Sequence, residues 1–295
     1  MLLREKFDKI DFLSEGQRAI LQYMYDHSQE IASMTVKQIA QEAYTSPATL
    51  IRLAKNLGYN GFEDLRRDFL QEEKYLNNNF TDIDANVPFR MSDNYIGIAS
   101  KITALAKETA DDTLSLMEYK SLKKAVDLLL QAEKIHLTAI SFPLLYGYDF
   151  QLKMMRLGKP VEIMGILGEQ LYSSPIIGPK DCALVISYSG ETPLIREMLQ
   201  VYKRKSIPII AITSVGTSTL RASCTVALSV TTREKLYSKI SGYSNELSIK
   251  LILDILYSCV FKEDYQKNLE NKINLSRQAE PGRFSTTEVL REDKN

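Results

Sequence analysis

The stretch Ile186-Ser-Tyr-Ser-Gly-Glu-Thr-Pro193 closes an apolar run, Cys182-Ala-Leu-Val-Ile186, and opens a helical pattern over residues 194–205. A short apolar run bounded by turn residues reads as a strand buried on both faces. Pro193 suits the first turn of the following helix, where a backbone N–H would have no partner to lose. The quoted residues are therefore a strand-to-helix turn at the carboxyl end of a strand. Gly190 lets such a turn lie close to a ligand. The hydroxyls of Ser187, Ser189 and Thr192, with the amides around Gly190 and Glu191, suit a phosphate or similar anion at a helix N-terminus. The other reading of this segment alone is an ordinary Ser/Thr cap.

Working outward, the same alternation repeats. Short apolar strands are expected at residues 135–140, 161–164, 183–187, 207–213 and 225–230, with helices at 144–157, 194–205 and 243–259 between and after them. Strands alternating with helices define an α/β domain with a doubly wound, mostly parallel sheet. Two helices, 93–117 and 121–130, lead into it. Residues 77–92, NNNFTDIDANVPFRMS, lose periodicity and gather Asn, Asp and Pro, which marks a linker. From about residue 268 the pattern is polar and weakly periodic, and a frayed tail is expected.

Residues 14–76 are helical throughout. Ile20, Leu21, Met24 and Ile31 supply an apolar face, and Ser14 with Gln17 has capping-box spacing. Thr35 can cap a short helix over 36–43. After a turn at Tyr44-Thr45, Ser46 can cap a second helix that has Pro47 at its first position and runs to about Leu57. Two short helices joined by a tight turn form a helix-turn-helix; a small helical bundle that binds a protein would show the same pattern. The divisions expected are a helix-turn-helix domain at 1–76, a linker at 77–92, a sheet domain with its leading helix at 93–264 and a polar tail at 265–295.

The bulk composition narrows the partners. The 295 residues carry 37 basic and 37 acidic side chains, so no global basicity advertises nucleic acid. Over residues 1–76 ten Lys/Arg face twelve Asp/Glu, whereas over 35–67 five face three. The positive surface is local and modest, which favours a symmetric dimer reading a palindrome. No apolar run approaches a membrane span, and the acidic residues in MLLREKFDKID argue against a signal peptide, so a cytoplasmic protein is expected. Cys182, Cys224 and Cys259 form no CxxC pair and read as reduced thiols. The two histidines, His27 and His136, are far apart, and neither a metal site, a Ser–His pair nor a cofactor is expected.

Both halves resemble one family. The segments LSEGQRAILQYM and MTVKQIAQEAYTSPATLIRLAKNLGYNGFEDLRRDF, with Ser46-x-x-Thr49-x-x-Arg52 followed by Leu57-Gly58-Tyr59-x-Gly61-Phe62, are similar to the DNA-binding domain of RpiR-type (MurR/RpiR) bacterial regulators. The segment GPKDCALVISYSGETPLIREMLQVYKRKSIPIIAITS resembles the SIS (sugar isomerase) domain, a phosphosugar-binding flavodoxin-like fold. The resemblance covers roughly residues 5–262. It implies a transcriptional regulator of sugar metabolism genes, controlled by a sugar phosphate and assembled as a homodimer or homotetramer.

Two positions depart from the family. A glycine ordinarily precedes the cap of the recognition helix, and here the residues are Glu42-Ala43-Tyr44-Thr45, so a side chain must accept the turn at a cost of about 1 kcal/mol. In the first strand–helix loop of the SIS domain the family reads Gly-x-Gly-x-Ser; here Ala139, Ser141 and Pro143 stand at those places. Ser141 is the hydroxyl left there to contact a ligand.

Base contacts are expected from Ser46, Ala48, Thr49 and Arg52, because the start of the recognition helix enters the major groove and Arg pairs bidentately with guanine. Lys37 and Lys55 read as phosphate contacts. The ligand residues expected are Ser141, Ser187, Ser189, Gly190, Glu191 and Thr192. Two alternatives accompany this reading: a SIS domain that only oligomerises, or an isomerase in which Glu191, Glu169 or Glu246 is the base.

Overall fold

The computed structural model describes residues 13–77, 83–166 and 168–290. The first helices are α1 (Glu15–Asp26), α2 (Ser28–Ile31), α3 (Val36–Glu42), α4 (Pro47–Asn56) and α5 (Phe62–Asn77). The expected capping box is present at the start of α1, where Ser14 and Gln17 bond reciprocally, and Thr35 caps α3 as expected, in a second box completed by Gln38. Each satisfies amides that a helix start leaves open and contributes about 1 kcal/mol. Ile20, Met24, Ile31, Ile39, Leu50, Leu53 and Leu65 close into one core with no exposed surface.

α6 (Tyr95–Ser115) and α7 (Tyr119–Gln131) lead into the sheet domain. There β1 (Ile135–Thr138), α8 (Phe142–Met155), β2 (Val161–Ile163), α9 (Glu169–Ser173), β3 (Cys182–Ile186), α10 (Pro193–Arg204), β4 (Ile209–Ser214), α11 (Thr219–Ser223) and β5 (Val226–Val230) alternate. α12 (Tyr243–Lys262) and α13 (Tyr265–Ala279) follow. The five strands are parallel in the order β2-β1-β3-β4-β5, the flavodoxin-like arrangement.

Alternation along β3 and β4 sends side chains to two cores. Leu184, Ile186, Ile210 and Ile212 pack with α7, α8 and α12, whereas Ala183, Val185, Ile209 and Ala211 pack with α10 and α11. A strand with both faces covered needs the uninterrupted apolar run read in the sequence. On the first face α8 lies tight against β1. A Cβ added to Gly147 would stand 2.6 Å from Leu137 Cδ2.

Two expectations change. The tail after residue 268 is not frayed throughout, because α13 extends over Tyr265–Ala279 with no buried residue. Its surface pairs, such as Gln266 with Glu270 and Lys272 with Ser276, and the Tyr257–Phe261–Tyr265 edge contacts supply what an apolar stripe normally would. Residues 243–261 carry more apolar side chains than a single covering helix ordinarily needs, which in the sequence suggests a subunit surface, but in α12 that excess is used inside the domain. Ile249, Ile252, Leu253, Leu256 and Val260 are buried, because α12 is covered by α6 and α8 as well as by the sheet. Thr109 and Thr113 of α6 set their hydroxyls 2.8 Å from Ser244 and Ser248 of α12, and this small-residue seam lets the helices approach closely. All three cysteines are free; Cys182 is buried and Cys224 and Cys259 are half-buried.

Candidate ligand turn and DNA-reading helix

In a sheet of this order the crevice forms where neighbouring connections diverge, between the carboxyl ends of β1 and β3. Thr138 pairs with Val185, so the two loops leave the sheet side by side. After β3 the chain turns at Gly190, whose φ is +66°. A Cβ there would lie 2.2 Å from Ser218 Oγ and 2.5 Å from its Cβ, so glycine is required by conformation and by space. The Gly190 amide donates to Ser187 Oγ at 3.2 Å and the Glu191 amide to Ser189 Oγ at 3.2 Å.

Thr192 occupies the N-cap of α10, yet its hydroxyl makes no cap bond; it lies 2.9 Å from Ser187 Oγ. The start of a twelve-residue helix is thus left without a side-chain cap, beside three hydroxyls that rotate freely enough to accept or donate. The Glu191 carboxylate turns away and accepts from the Thr219 amide at 2.6 Å and hydroxyl at 2.7 Å, at the start of α11. Glu191 therefore offers the turn its amide alone.

The loop after β1 keeps the backbone of a glycine without the glycine. Ser141 sits at φ 65°, ψ −140°, a conformation nearly confined to glycine. It is exposed, and its hydroxyl makes no cap bond to α8. Phe142 is 58% exposed and projects outward, so it does not plug the crevice. Pro143 falls in the first turn of α8, where its missing N–H is harmless.

Residues beyond those expected complete the surroundings. The Tyr188 hydroxyl donates to the Glu234 carbonyl at 2.9 Å and accepts from the Glu234 amide at 3.2 Å, and burial raises its pKa well above the ordinary phenol value. Glu234, itself buried, receives the Ser244 amide at 2.5 Å at the start of α12 and pairs with Lys239 at 3.0 Å. The hydroxyl of Tyr146 donates to Glu246 at 3.0 Å, and desolvation with this carboxylate pushes its pKa up to about 12. The signal for Glu234 was its place in the loop after β5, another strand end on the same rim. Of the carboxylates considered as bases, Glu191 caps α11, Glu246 holds Tyr146 and Glu169 is exposed at the start of α9. Among the described residues, no group of three or more His, Cys, Asp or Glu is placed to hold a metal ion, and no helix is long and apolar enough to cross a membrane.

In the N-terminal domain α3 ends in a Schellman turn. The Thr45 amide bonds Ala40 O at 2.7 Å and the Tyr44 amide bonds Gln41 O at 3.0 Å, with Tyr44 at φ 52°. The residue standing where the family has glycine does take the left-handed conformation, and its side chain is exposed. Ser46 begins α4 but does not cap it through an amide; its hydroxyl lies 3.0 Å from Thr49 Oγ1, which pulls the pair together on the outer surface. Lys37, Ser46, Ala48, Arg52 and Lys55 are exposed and Thr49 partly so, while Leu50, Leu53 and Ala54 anchor the opposite face of α4. The Arg52 Nε donates to Ala48 O at 3.4 Å, a weak bond that a stronger acceptor would displace.

An exposed recognition helix in a helix-turn-helix, followed by a flavodoxin-like sheet domain, defines a two-part DNA-binding transcriptional regulator. Residues 3–74 match the helix-turn-helix domain of the rpiR family and residues 128–250 match the SIS domain. The chain belongs to the RpiR-type transcriptional regulators. It is 28% identical over 257 residues to the uncharacterised HTH-type transcriptional regulator YbbH of Bacillus subtilis, covering 86% of this chain and 88% of that one. A second such regulator, from Caldanaerobacter subterraneus, is 26% identical over 87% of this chain and 90% of its own length. Among solved structures, the Vibrio vulnificus NanR protein complexed with ManNAc-6P superimposes with a TM-score of 0.58 at 19% identity, over 95% of this chain and 98% of that one. The sugar isomerase domain of an RpiR transcription factor from Sphaerobacter thermophilus does so with a TM-score of 0.54 at 14% identity, over 61% of this chain and 98% of that one.

Proposed function

We propose that this regulator controls sugar metabolism genes in response to a sugar phosphate held at the crevice between β1 and β3. The observation that carries this reading is the Ser187–Thr192 turn, with three hydroxyls around a sterically required glycine at a helix start that no side chain caps. The phosphate sits on Ser187, Ser189, Thr192 and the amides of Gly190 and Glu191, and Ser141 contributes from the facing loop. The NanR likeness supports the ligand class, since that protein was solved with ManNAc-6P. Each bond to the charged group contributes about 1.5–3 kcal/mol. No turnover is proposed, because Glu191 and Glu246 are already engaged and the relatives are named as regulators.

Ser46, Ala48, Thr49 and Arg52 read base edges of a palindromic operator in the cytoplasm, and Lys37 and Lys55 hold phosphates. The working divisions remain 1–76 for DNA, 77–92 as linker, 93–264 for the ligand domain and 265–295 as an appended segment. A homodimer or homotetramer aligns two recognition helices with the two half-sites.

Thermal unfolding against a panel of sugar phosphates tests the reading. A ligand at a hundredfold its Kd adds about 2.7 kcal/mol and raises the melting temperature. One observation favours a second reading, a sheet domain used only for assembly: Ser141 and Pro143 replace the small and hydroxyl residues of the first loop. Under that reading no sugar phosphate shifts the melt.

A further inference from the structure

The helix α8, FPLLYGYDFQLKMM, is apolar on two opposite sides. Gly147, Phe150 and Met154 pack inward on the sheet domain. On the opposite side Phe142, Leu145, Leu152 and Met155 are between 52% and 61% exposed, and Tyr148 is 38% exposed. At the helical period these five fall within an arc of about 140°. A helix that is apolar on both sides is ordinarily covered on both, yet the described residues leave much of the outer arc exposed.

Asp149 falls inside that arc, between the directions of Leu145 and Phe142, and Lys153 at its edge. Asp149 and Lys153 are its only ionic side chains, and both are drawn to α12. Lys153 bridges Asp149 at 2.8 Å and Asp254 at 2.5 Å, and Lys250 bridges Asp149 at 3.1 Å and Asp254 at 2.6 Å. Two cations and two anions close on one another, leaving the arc without free charge. The apolar surface also continues off the helix. Tyr148 Oη lies where a Cβ on Gly165 would come within 2.2 Å, and the next residue, Ile166, is 67% exposed.

We infer that the outer face of α8, extended by Ile166, is the surface on which a second copy of this chain docks. Its six apolar side chains expose roughly 600 Å², most of the ~800 Å² that each partner buries in a stable complex. A face with no net charge pairs with itself without repulsion, and a twofold axis across α8 makes the contact isologous, helix against helix. The inference rests on the proposed dimeric action and names the surface that α12, buried in its own domain, does not provide. Phe142, the first residue of the stripe, directly follows the strained Ser141, so the subunit surface abuts the ligand crevice.

The test is the mass of the full-length chain in solution, by light scattering and sedimentation at micromolar concentration. The parent is expected to be a dimer or a multiple of one. Leu145→Lys combined with Leu152→Lys should weaken that association at least a hundredfold and halve the observed mass. Tyr172→Lys with Ile176→Lys, equally exposed apolar positions on α9 and the turn after it, should leave the mass unchanged. Circular dichroism melts establish that each variant is folded; if the double lysine variant is not, Leu145→Ser with Leu152→Ser decides. A monomeric parent overturns the dimer reading and this inference together. A dimeric parent whose folded α8 variants keep the full mass overturns the α8 surface alone.

Discussion

The side-chain oxygen of Asn86 accepts the Lys235 amide at 2.7 Å, joining the segment that arrives from the DNA-binding domain to the loop that leaves β5. The Asn86 backbone carbonyl also accepts the Ile240 amide at 2.9 Å, and the side-chain Nδ2 of Asn86 donates to the Arg233 carbonyl at 3.4 Å. Arg233 in turn donates to Ile83 O at 3.1 Å and pairs with Glu108 of α6 at 2.8 Å. On its other side this loop holds Tyr188, inside the Ser187–Thr192 turn, through both backbone groups of Glu234. One loop therefore grips the candidate ligand turn and the connection to the DNA-binding helices.

Asn86→Ala removes the acceptor of a backbone amide and a side-chain donor, a loss of about 1–3 kcal/mol. At this domain size that lowers the melting temperature by roughly 2–4 °C per kcal/mol. Operator and sugar phosphate should each still bind. The coupling between them, of order 5–150-fold in such systems, should collapse toward unity. Fluorescence anisotropy of labelled operator with and without ligand reads this directly. Undiminished coupling in the variant would remove the loop from the signal path.

Ser141→Gly should stabilise the protein. The serine at φ 65°, ψ −140° carries strain of about 1–3 kcal/mol, and glycine relieves it at an entropic cost of up to ~1 kcal/mol. The expected net gain is about 1 kcal/mol, visible as a rise of roughly 2–4 °C in thermal unfolding. A lower melting temperature would mean that the serine hydroxyl supplies more to the fold than its conformation removes.

How far the sequence reached follows from what each signal depends on. The strand-turn-helix at 182–204, the Ser14–Gln17 capping box and the Thr35 cap were legible, because glycine, proline and short polar side chains act through their own backbone. That a side chain within Glu42–Thr45 must take the turn followed from the resemblance to a family with glycine there, whereas Tyr44 as that residue emerges only in the structure. The covering of α12 was not legible, since an apolar excess on one helix says nothing about how many neighbours share it. The same blindness hid α8, whose exposed arc emerges only after the sheet has taken the other side. Ser46 was expected to cap an amide and bonds Thr49 instead, because two adjacent hydroxyls compete for the same few donors. The link from Asn86 to residues 233–240 spans nearly 150 positions, and no local pattern encodes such a pairing.

Ser189→Ala combined with Thr192→Ala should abolish the ligand response and leave operator binding intact. The change deletes the acceptor for the Glu191 amide and the partner of Ser187 Oγ, but caps no helix directly, since Thr192 makes no cap bond. The fold should therefore lose little, and the melt in the absence of ligand should move by only a few degrees. Calorimetric titration with the sugar phosphate that stabilises the parent is the decisive measurement. Retained affinity in the double variant would place the phosphate elsewhere.

The DNA-binding helix makes a prediction that separates sequence reading from simple attraction. Arg52 is exposed on the outer face of α4 and, among the described residues, is tied by one 3.4 Å bond to Ala48 O, so it can swing to a guanine edge at little cost. Arg52→Ala should then weaken operator binding by about 1–3 kcal/mol and relax base preference at one position in each half-site. Lys55, a turn further along the same helix, is exposed, and in the proposed docking it meets a backbone phosphate. Lys55→Ala should weaken all sequences alike and reduce the salt slope by about one unit per lost contact, or two in a dimer. Quantitative binding to a randomised operator library at several salt concentrations distinguishes the two. Should Arg52→Ala lower affinity uniformly and Lys55→Ala change base preference, α4 would lie in the groove with Lys55, and not Arg52, turned toward the bases. Should neither substitution matter, α4 would not be the reading helix.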